Sequence, residues 1–141
     1  MVVIREAGFN DLAQIVELAL EMGYKISPQG IRPVLEHHIK NPDYYIFLAV
    51  ENDQVIGMVG FNIKYYLHRE KPVLYIGSIV VREQFRSLGI GKMLMAKVEE
   101  IAKQRGCNSI QLNSNKRRLR AHEFYKKLGF EEVSLKFEKK W

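Results

Sequence analysis

Cysteine occurs once in this chain, at residue 107, so an intrachain disulfide and a cysteine-built metal site are both excluded. No neighbouring feature supplies Cys107 with a base, and a small buried hydrophobe at the start of a strand accounts for it better than a covalent nucleophile. Proline is sparse, with four scattered among 141 residues, and Gly/Ser tracts, repeats and low-complexity runs are missing. Nothing marks a linker, so one domain over residues 1–141 is expected. No apolar run approaches the roughly 20 residues that cross a membrane. The start, Met-Val-Val-Ile-Arg-Glu, lacks leader character, so a cytoplasmic location away from membranes is expected. His37 and His38 are adjacent on a helical segment, where neighbours point apart, so no metal is expected.

Acidic residues are outnumbered, 16 against 22 Lys and Arg, and the net charge of +6 favours anionic ligands without naming one. A hydrophobic fraction of 47% is enough for a packed core and argues against disorder.

Periodicity divides the chain into elements. Val2 to Glu6 begins as a strand, and Asn10 and Asp11 supply capping chemistry for a helix striped by Leu12, Ile15, Val16 and Ala19. A second helical segment follows Pro28 and stops at Asn41 and Pro42. Tyr45 to Glu51, Val55 to Tyr66 and Val73 to Val81 read as strands, the first pair joined by an Asn52-Asp53 turn. From Gly89 the period becomes helical, with Ile90, Met93, Leu94, Val98, Ile101 and Ala102 on one face, and Gly106 ends it. Ser109 to Asn113 is a short strand, Ala121, Phe124, Tyr125 and Leu128 stripe a last helix, and Glu132 to Phe137 alternates as a final strand. The expected class is α+β, a mixed, mostly antiparallel sheet flanked by helices in the order β-α-α-β-β-β-α-β-α-β. Its parallel component comes from the crossover between Val73 and Asn113.

The chemistry concentrates in Gln84-Phe85-Arg86-Ser87-Leu88-Gly89-Ile90-Gly91-Lys92, between a strand end and a helix start. Glycines at a first helical turn let backbone approach a ligand, and unpaired amides there favour phosphate. A Walker A loop is excluded, because Arg86 and Met93 stand where it needs glycine and a hydroxyl. A dinucleotide fingerprint is excluded as well, since residue 94 is leucine. A lone Gly-x-Gly also fits a tight turn.

Ile79-Val80-Val81 followed by Arg86-x-x-Gly89-x-Gly91 resembles the acyl-CoA site of the GNAT superfamily of N-acetyltransferases. A second segment, Ala121-His122-Glu123-Phe124-Tyr125-Lys126-Lys127-Leu128-Gly129-Phe130, matches the other signature of that superfamily. The order of elements agrees over essentially the whole chain. The resemblance implies an enzyme that transfers an acetyl group from acetyl-CoA, as co-substrate, to a primary amine by direct attack in a ternary complex. It implies that the backbone of Ile79, Val80 and Val81 pairs with the pantetheine arm. It further implies that the amides of Arg86, Ser87, Leu88, Gly89, Ile90, Gly91 and Lys92 hold the pyrophosphate. Tyr125 matches a tyrosine that lies near the thioester sulfur and protonates the departing thiolate. An asparagine often found three residues before the alanine is here Arg118, which leaves Asn113 or Asn115 to take its place at the cofactor.

No general base is evident. Where some relatives carry a glutamate on the fourth strand this chain has Tyr75, and the nearest titratable alternatives are His68 and Glu70. The acceptor, a small-molecule or peptide amine, is expected between the first helices, with Met22, Tyr24 and Ile26 as lining and Glu17, Glu21 and Glu36 as the nearby carboxylates. The alternative is a catalytically inactive acyl-CoA-binding sensor. The run Lys116 to Arg120 suits the phosphates of CoA or plain solvent; nucleic-acid binding ranks last, because sheet aromatics at RNA-reading spacing are not evident. Oligomeric state is open, with a homodimer among the expectations.

Overall fold

Alternating apolar residues between 44 and 81 need a neighbour on each side, and they find it in one another. The structure, a computed structural model, describes residues 1–141. Strand β1 (Val3–Glu6) pairs antiparallel with β2 (Tyr44–Glu51), β2 with β3 (Gln54–Lys64), and β3 with β4 (Val73–Val81). The β2–β3 turn is made by Asn52 and Asp53 at φ of 50° and 61°, the left-handed pair that a two-residue hairpin requires. Strand β5 (Ile110–Leu112) lies beside β4 at the sheet edge. The Leu74 amide donates to Ser109 and the Asn108 amide to Pro72, so the two segments advance together and the sheet is mixed.

Helices α1 (Leu12–Glu21) and α2 (Pro28–Lys40) precede the meander, and α3 (Ile90–Gln104) crosses from β4 to β5. Register shows what each face buries. Leu48, Met58 and Val80 are cross-strand neighbours and share a core with Ile15, Leu18 and Leu35 of α1 and α2. Gly57 lies on the alternate set and meets α3, because a methyl built there would stand 3.2 Å from Ile90 Cγ2 and 3.3 Å from Leu94 Cδ1. The central strands are thus covered on both faces.

The backbone falls into two compact units, Met1–Gln111 and Leu112–Trp141. The second carries the end of β5, α4 (Leu119–Lys127) and the C-terminal segment. One expected element differs. Residues 131–141 form no strand, although Glu132 to Phe137 alternates. Alternation supplies a face, but a strand also needs a partner's amides and carbonyls, and Val133, Leu135 and Phe137 remain 78%, 78% and 88% exposed. No helix is long and apolar enough to cross a membrane.

The turn into α1 is fixed by a buried carboxylate. Asp11 accepts from the Gly8 amide at 2.7 Å and from both arms of the Arg5 guanidinium at 2.9 and 2.8 Å. Arg5 holds this carboxyl below the ordinary aspartate range, against the opposing effect of burial. Replacing Asp11 by Asn should cost about 1–3 kcal/mol of stability at neutral pH. A depressed folded pKa stabilises above the unfolded value of 3.8 and is lost as pH falls through the folded one. The difference in melting temperature between wild type and Asp11→Asn should therefore hold from neutral pH to about 4 and shrink below it.

Candidate active site

Strand β4 is regular along one edge and interrupted in the middle. Gly60 pairs with Ser78 and Phe61 with Ile76, which leaves Gly77 bulged out of the ladder. Strand β5 has three residues against nine in β4, and its hydrogen bonds begin at the start of β4. Strand β5 is therefore too short to accompany β4 to its end, where the backbone of Ile79, Val80 and Val81 lies. The Val80 side chain is buried among α1 and α2, so what these residues offer a ligand is main chain. An extended amide-bearing ligand would find there the groups that a further strand would use.

Immediately after β4 the chain is anchored. Arg82 is a buried cation whose Nε donates to the Val55 carbonyl at 2.6 Å and whose Nη2 meets Glu17 of α1 at 2.7 Å. Its amide donates to Ile56 at 2.8 Å. The carboxylate of Glu17 and the Val55 carbonyl compensate the burial of this charge. Sequence reading had no signal for it, since an arginine after a strand is ordinarily a solvated one.

From this anchor the chain makes a 3-10 turn over Glu83–Phe85 and enters the expected loop. Arg86 is exposed and folds its Nε onto the Val81 carbonyl at 3.0 Å, tying the loop to the strand end. Ser87 has φ 65° and Gly89 φ 85°. For Ser87 that conformation costs roughly 1–2 kcal/mol, which marks the loop as held by its surroundings. At Gly89 there is space for a side chain but not the backbone freedom for one. Leu88 between them is exposed. The first amide of α3 to find a carbonyl is that of Met93, bonded to Gly89, so those of Ile90, Gly91 and Lys92 have no intrahelical acceptor. No side chain caps this helix start. Alternating left-handed residues ahead of unpaired amides form an anion cradle, and the exposed Lys92 adds a charge beside it. The Ile90 side chain is core, and its amide is what the loop uses.

The second unit holds the other motif. Tyr125 lies on α4, 7% exposed, with its ring edge-on to Phe124 at 5.6 Å and Phe130 at 5.9 Å. Burial pushes its phenol above the ordinary tyrosine value, and Arg118 pulls the other way. Asn115 forms the turn into α4: its Oδ1 accepts from the Arg117 amide at 2.9 Å, and its carbonyl lies 2.9 Å from His122 Nε2. Its side-chain amide nitrogen is the part left for a ligand. Lys116, Arg117, Arg118 and Arg120 are all exposed.

Other candidates fall out of the chemistry or change role. Cys107 is half-buried and burial raises its thiol, which disfavours the thiolate a nucleophile needs. His37 and His38 both pack edge-on against Tyr44, at 4.6 and 5.1 Å, so they meet a common ring despite being adjacent in sequence. Tyr75 lies under the Lys64 ammonium at 4.1 Å, and His68 leans on Tyr66 at 5.3 Å. Of the carboxylates on α1 and α2, Glu17 is paired with Arg82 and Glu36 with Lys40. Tyr24 is exposed, while Met22 is packed against the core.

Comparison with known proteins agrees with this arrangement. The aminoalkylphosphonate N-acetyltransferase of Salmonella typhimurium is 28% identical over 137 residues, covering 96% of this chain and 89% of that one. An N-alpha-acetyltransferase of Sulfurisphaera tokodaii is 30% identical over 142 residues, covering 94% and 81%. Among solved structures, a protein of Bacillus halodurans C-125 described as a transcriptional regulator superposes with a TM-score of 0.91 at 26% identity, over the whole of both chains. The model of the acetyltransferase (GNAT) family matches residues 11–130. A match to the family model over residues 11–130 and relatives aligned over most of its length place this chain in the acetyltransferase (GNAT) family, as an acyl-CoA-dependent N-acetyltransferase.

Proposed function

We propose that the chain, acting as one catalytic domain, transfers the acetyl group of acetyl-CoA to the primary amine of a small acceptor bearing an anionic group, by direct attack within a ternary complex. The observation that carries this reading is the loop from Arg86 to Lys92, where left-handed Ser87 and Gly89 precede three amides without helical acceptors. That geometry suits a pyrophosphate, and the backbone of Ile79 to Val81 suits the amides of a pantetheine arm. Asn115 contributes its side-chain nitrogen to the same cofactor.

In the reaction the neutral amine attacks the thioester carbonyl, and a carbon–nitrogen bond forms. The carbonyl oxygen takes negative charge, for which a β4 amide near Val80 or Val81 is the donor. Collapse breaks the carbon–sulfur bond and the thiolate departs beside Tyr125. A phenol raised by burial keeps its hydrogen through the physiological range. It is a weaker acid than a thiol, so Tyr125 acts by hydrogen bonding to the departing sulfur, and any proton it passes on is returned from solvent. The half-buried Cys107, its thiol raised, speaks against an acyl-enzyme route. The acceptor's own proton passes to solvent through ordered water, because Glu17 and Glu36 are committed to cations. The same pairing removes the carboxylate cluster that a polycationic acceptor would want. The net charge of +6 and the likeness to an aminoalkylphosphonate N-acetyltransferase support an anionic amine instead.

A screen of thiol release with acetyl-CoA should show turnover with aminoalkylphosphonates or amino acids ahead of polyamines and peptide N-termini. Binding of acetyl-CoA without transfer to any amine would favour a sensor. Gly89→Val should weaken acetyl-CoA binding by about tenfold in calorimetry, the consequence of roughly 1–2 kcal/mol of left-handed strain relieved by shifting the loop. Unchanged affinity would remove the loop from the cofactor site. Tyr125→Phe should lower kcat by about 10²-fold while leaving the KM for acetyl-CoA in place, the signature of a lost hydrogen-bond donor. With no protein base, kcat/KM should rise about tenfold per pH unit below the acceptor's pKa near 10.4. A plateau at neutral pH would reveal a base on the protein.

A further inference from the structure

We infer that Lys64 recognises the anionic group of the acceptor, and that the half-covered end of the sheet face beneath α1 and α2 sets the spacing between that group and the amine. The inference rests on the transfer to an anionic amine proposed above, and it names the residue and the chain length that would give that preference.

Helices α1 and α2 cover only part of their face of the sheet. Leu48, Met58 and Val80 form a cross-strand row in the core beneath them. Farther along, the same face continues through Gly60 opposite Ser78, then Asn62 with Tyr44 on one side and Tyr75 on the other, then Lys64 at the mouth of the β3–β4 turn. All six of these residues are half-buried, whereas Phe61, Ile63, Leu74 and Ile76, which alternate with them, are buried on the α3 face. A methyl built on Gly60 would meet only the Tyr45 carbonyl at 3.9 Å and Ile46 Cγ1 at 4.0 Å, so no helix side chain reaches this floor. A pantetheine arm whose pyrophosphate sits in the loop after Val81, and which runs back from Val81 to Ile79, delivers its thioester beside Ser78 and Gly60.

Lys64 is placed for an anion. Its ammonium stands over the Tyr75 ring at 4.1 Å, which carries the charge back from the end of β3 to the row of Asn62. Stacking on a ring fixes the position of the charge without neutralising it. Arg5, Lys40, Arg82, Lys97 and Arg105 each have a carboxylate within reach, and Lys64 has none. Half-burial strengthens its pull relative to that of a fully solvated lysine. Asn62, between the two tyrosines in register, adds an amide donor on the same face.

The strand supplies the ruler. Rows two residues apart on one face of a strand are separated by about 7 Å. An amine over the Gly60–Ser78 row and an anion against an ammonium over the Asn62–Tyr75 row are therefore joined by about two or three carbons. The acceptor class is a short ω-amino phosphonate or carboxylate, ahead of α-amino acids and of longer chains.

Transfer to aminoalkylphosphonates of increasing chain length should show kcat/KM passing through a maximum at the two- or three-carbon compounds. Lys64→Met, which keeps an apolar stem on Tyr75, should raise the KM for the best phosphonate by about ten- to hundredfold and leave the KM for acetyl-CoA in place. Lys64→Arg should recover part of that loss. The ratio of kcat/KM between this phosphonate and propylamine should fall in Lys64→Met by the same factor, a change that a merely structural role would not produce. A ratio that Lys64→Met leaves unchanged, or a flat dependence on chain length, would overturn the inference while the anionic-amine reading stands. Propylamine turned over as well as every phosphonate by the unmodified protein would overturn both. Should Lys64→Met fail to fold, the chain-length series on the unmodified protein decides it.

Discussion

The close approach of α3 to the sheet is the constraint on which the cofactor site depends. Gly57 permits it: a Cβ there would press on Ile90 and Leu94 from one side and on the Val80 carbonyl, at 3.2 Å, from the other. With only a hydrogen at that point, the first turn of α3 lies directly over β3, next to the end of β4. The loop from Glu83 to Gly89 is then short of slack, and its left-handed residues follow from having to join two points that packing has already fixed. Arg82 secures the other end, donating from its guanidinium to Val55 and Glu17 and from its amide to Ile56.

This arrangement separates the tasks of side chain and main chain. Val80 and Ile90 are core residues by burial, yet both belong to the segments proposed to meet the cofactor, where amides and carbonyls would make the contact. Backbone recognition of that kind tolerates almost any apolar side chain that packs. It explains how chains as different as this one and relatives at 28–30% identity keep a common cofactor chemistry. Acceptor choice, on the proposed function, would rest instead on side chains of α1, α2 and the turns, where charge matters. The ion pairs of Glu17 and Glu36 show that carboxylates near those helices serve the fold before they serve a substrate.

Polar groups at the two edges of the sheet are handled differently. At β1 the Arg5–Asp11 pair ties the strand to the entry of α1 and covers a carbonyl of the edge. At β5 the edge is three residues long and open.

Period and punctuation in the sequence determined the elements. The change from twofold to helical spacing at Gly89, the Asn52-Asp53 turn and the glycines after α1, α3 and α4 are local effects of backbone sterics and burial, and each is realised where the residues place it. The loop proposed for the cofactor stands out in the sequence for the same reason, since glycine spacing at a helix start marks backbone that can come close to a ligand. Tertiary structure alone decided the rest. The bulge at Gly77 arises from register between strands, Arg82 is buried because α1 and β3 converge on it, and Glu17 becomes its counterion across 65 residues of chain. Tyr125 acquires its raised pKa only through packing on α4. The strand expected over Glu132 to Phe137 failed to form for a physical reason of the same kind: alternation is a property of one segment, whereas a β-ladder is a property of two, and the second is not supplied within the chain.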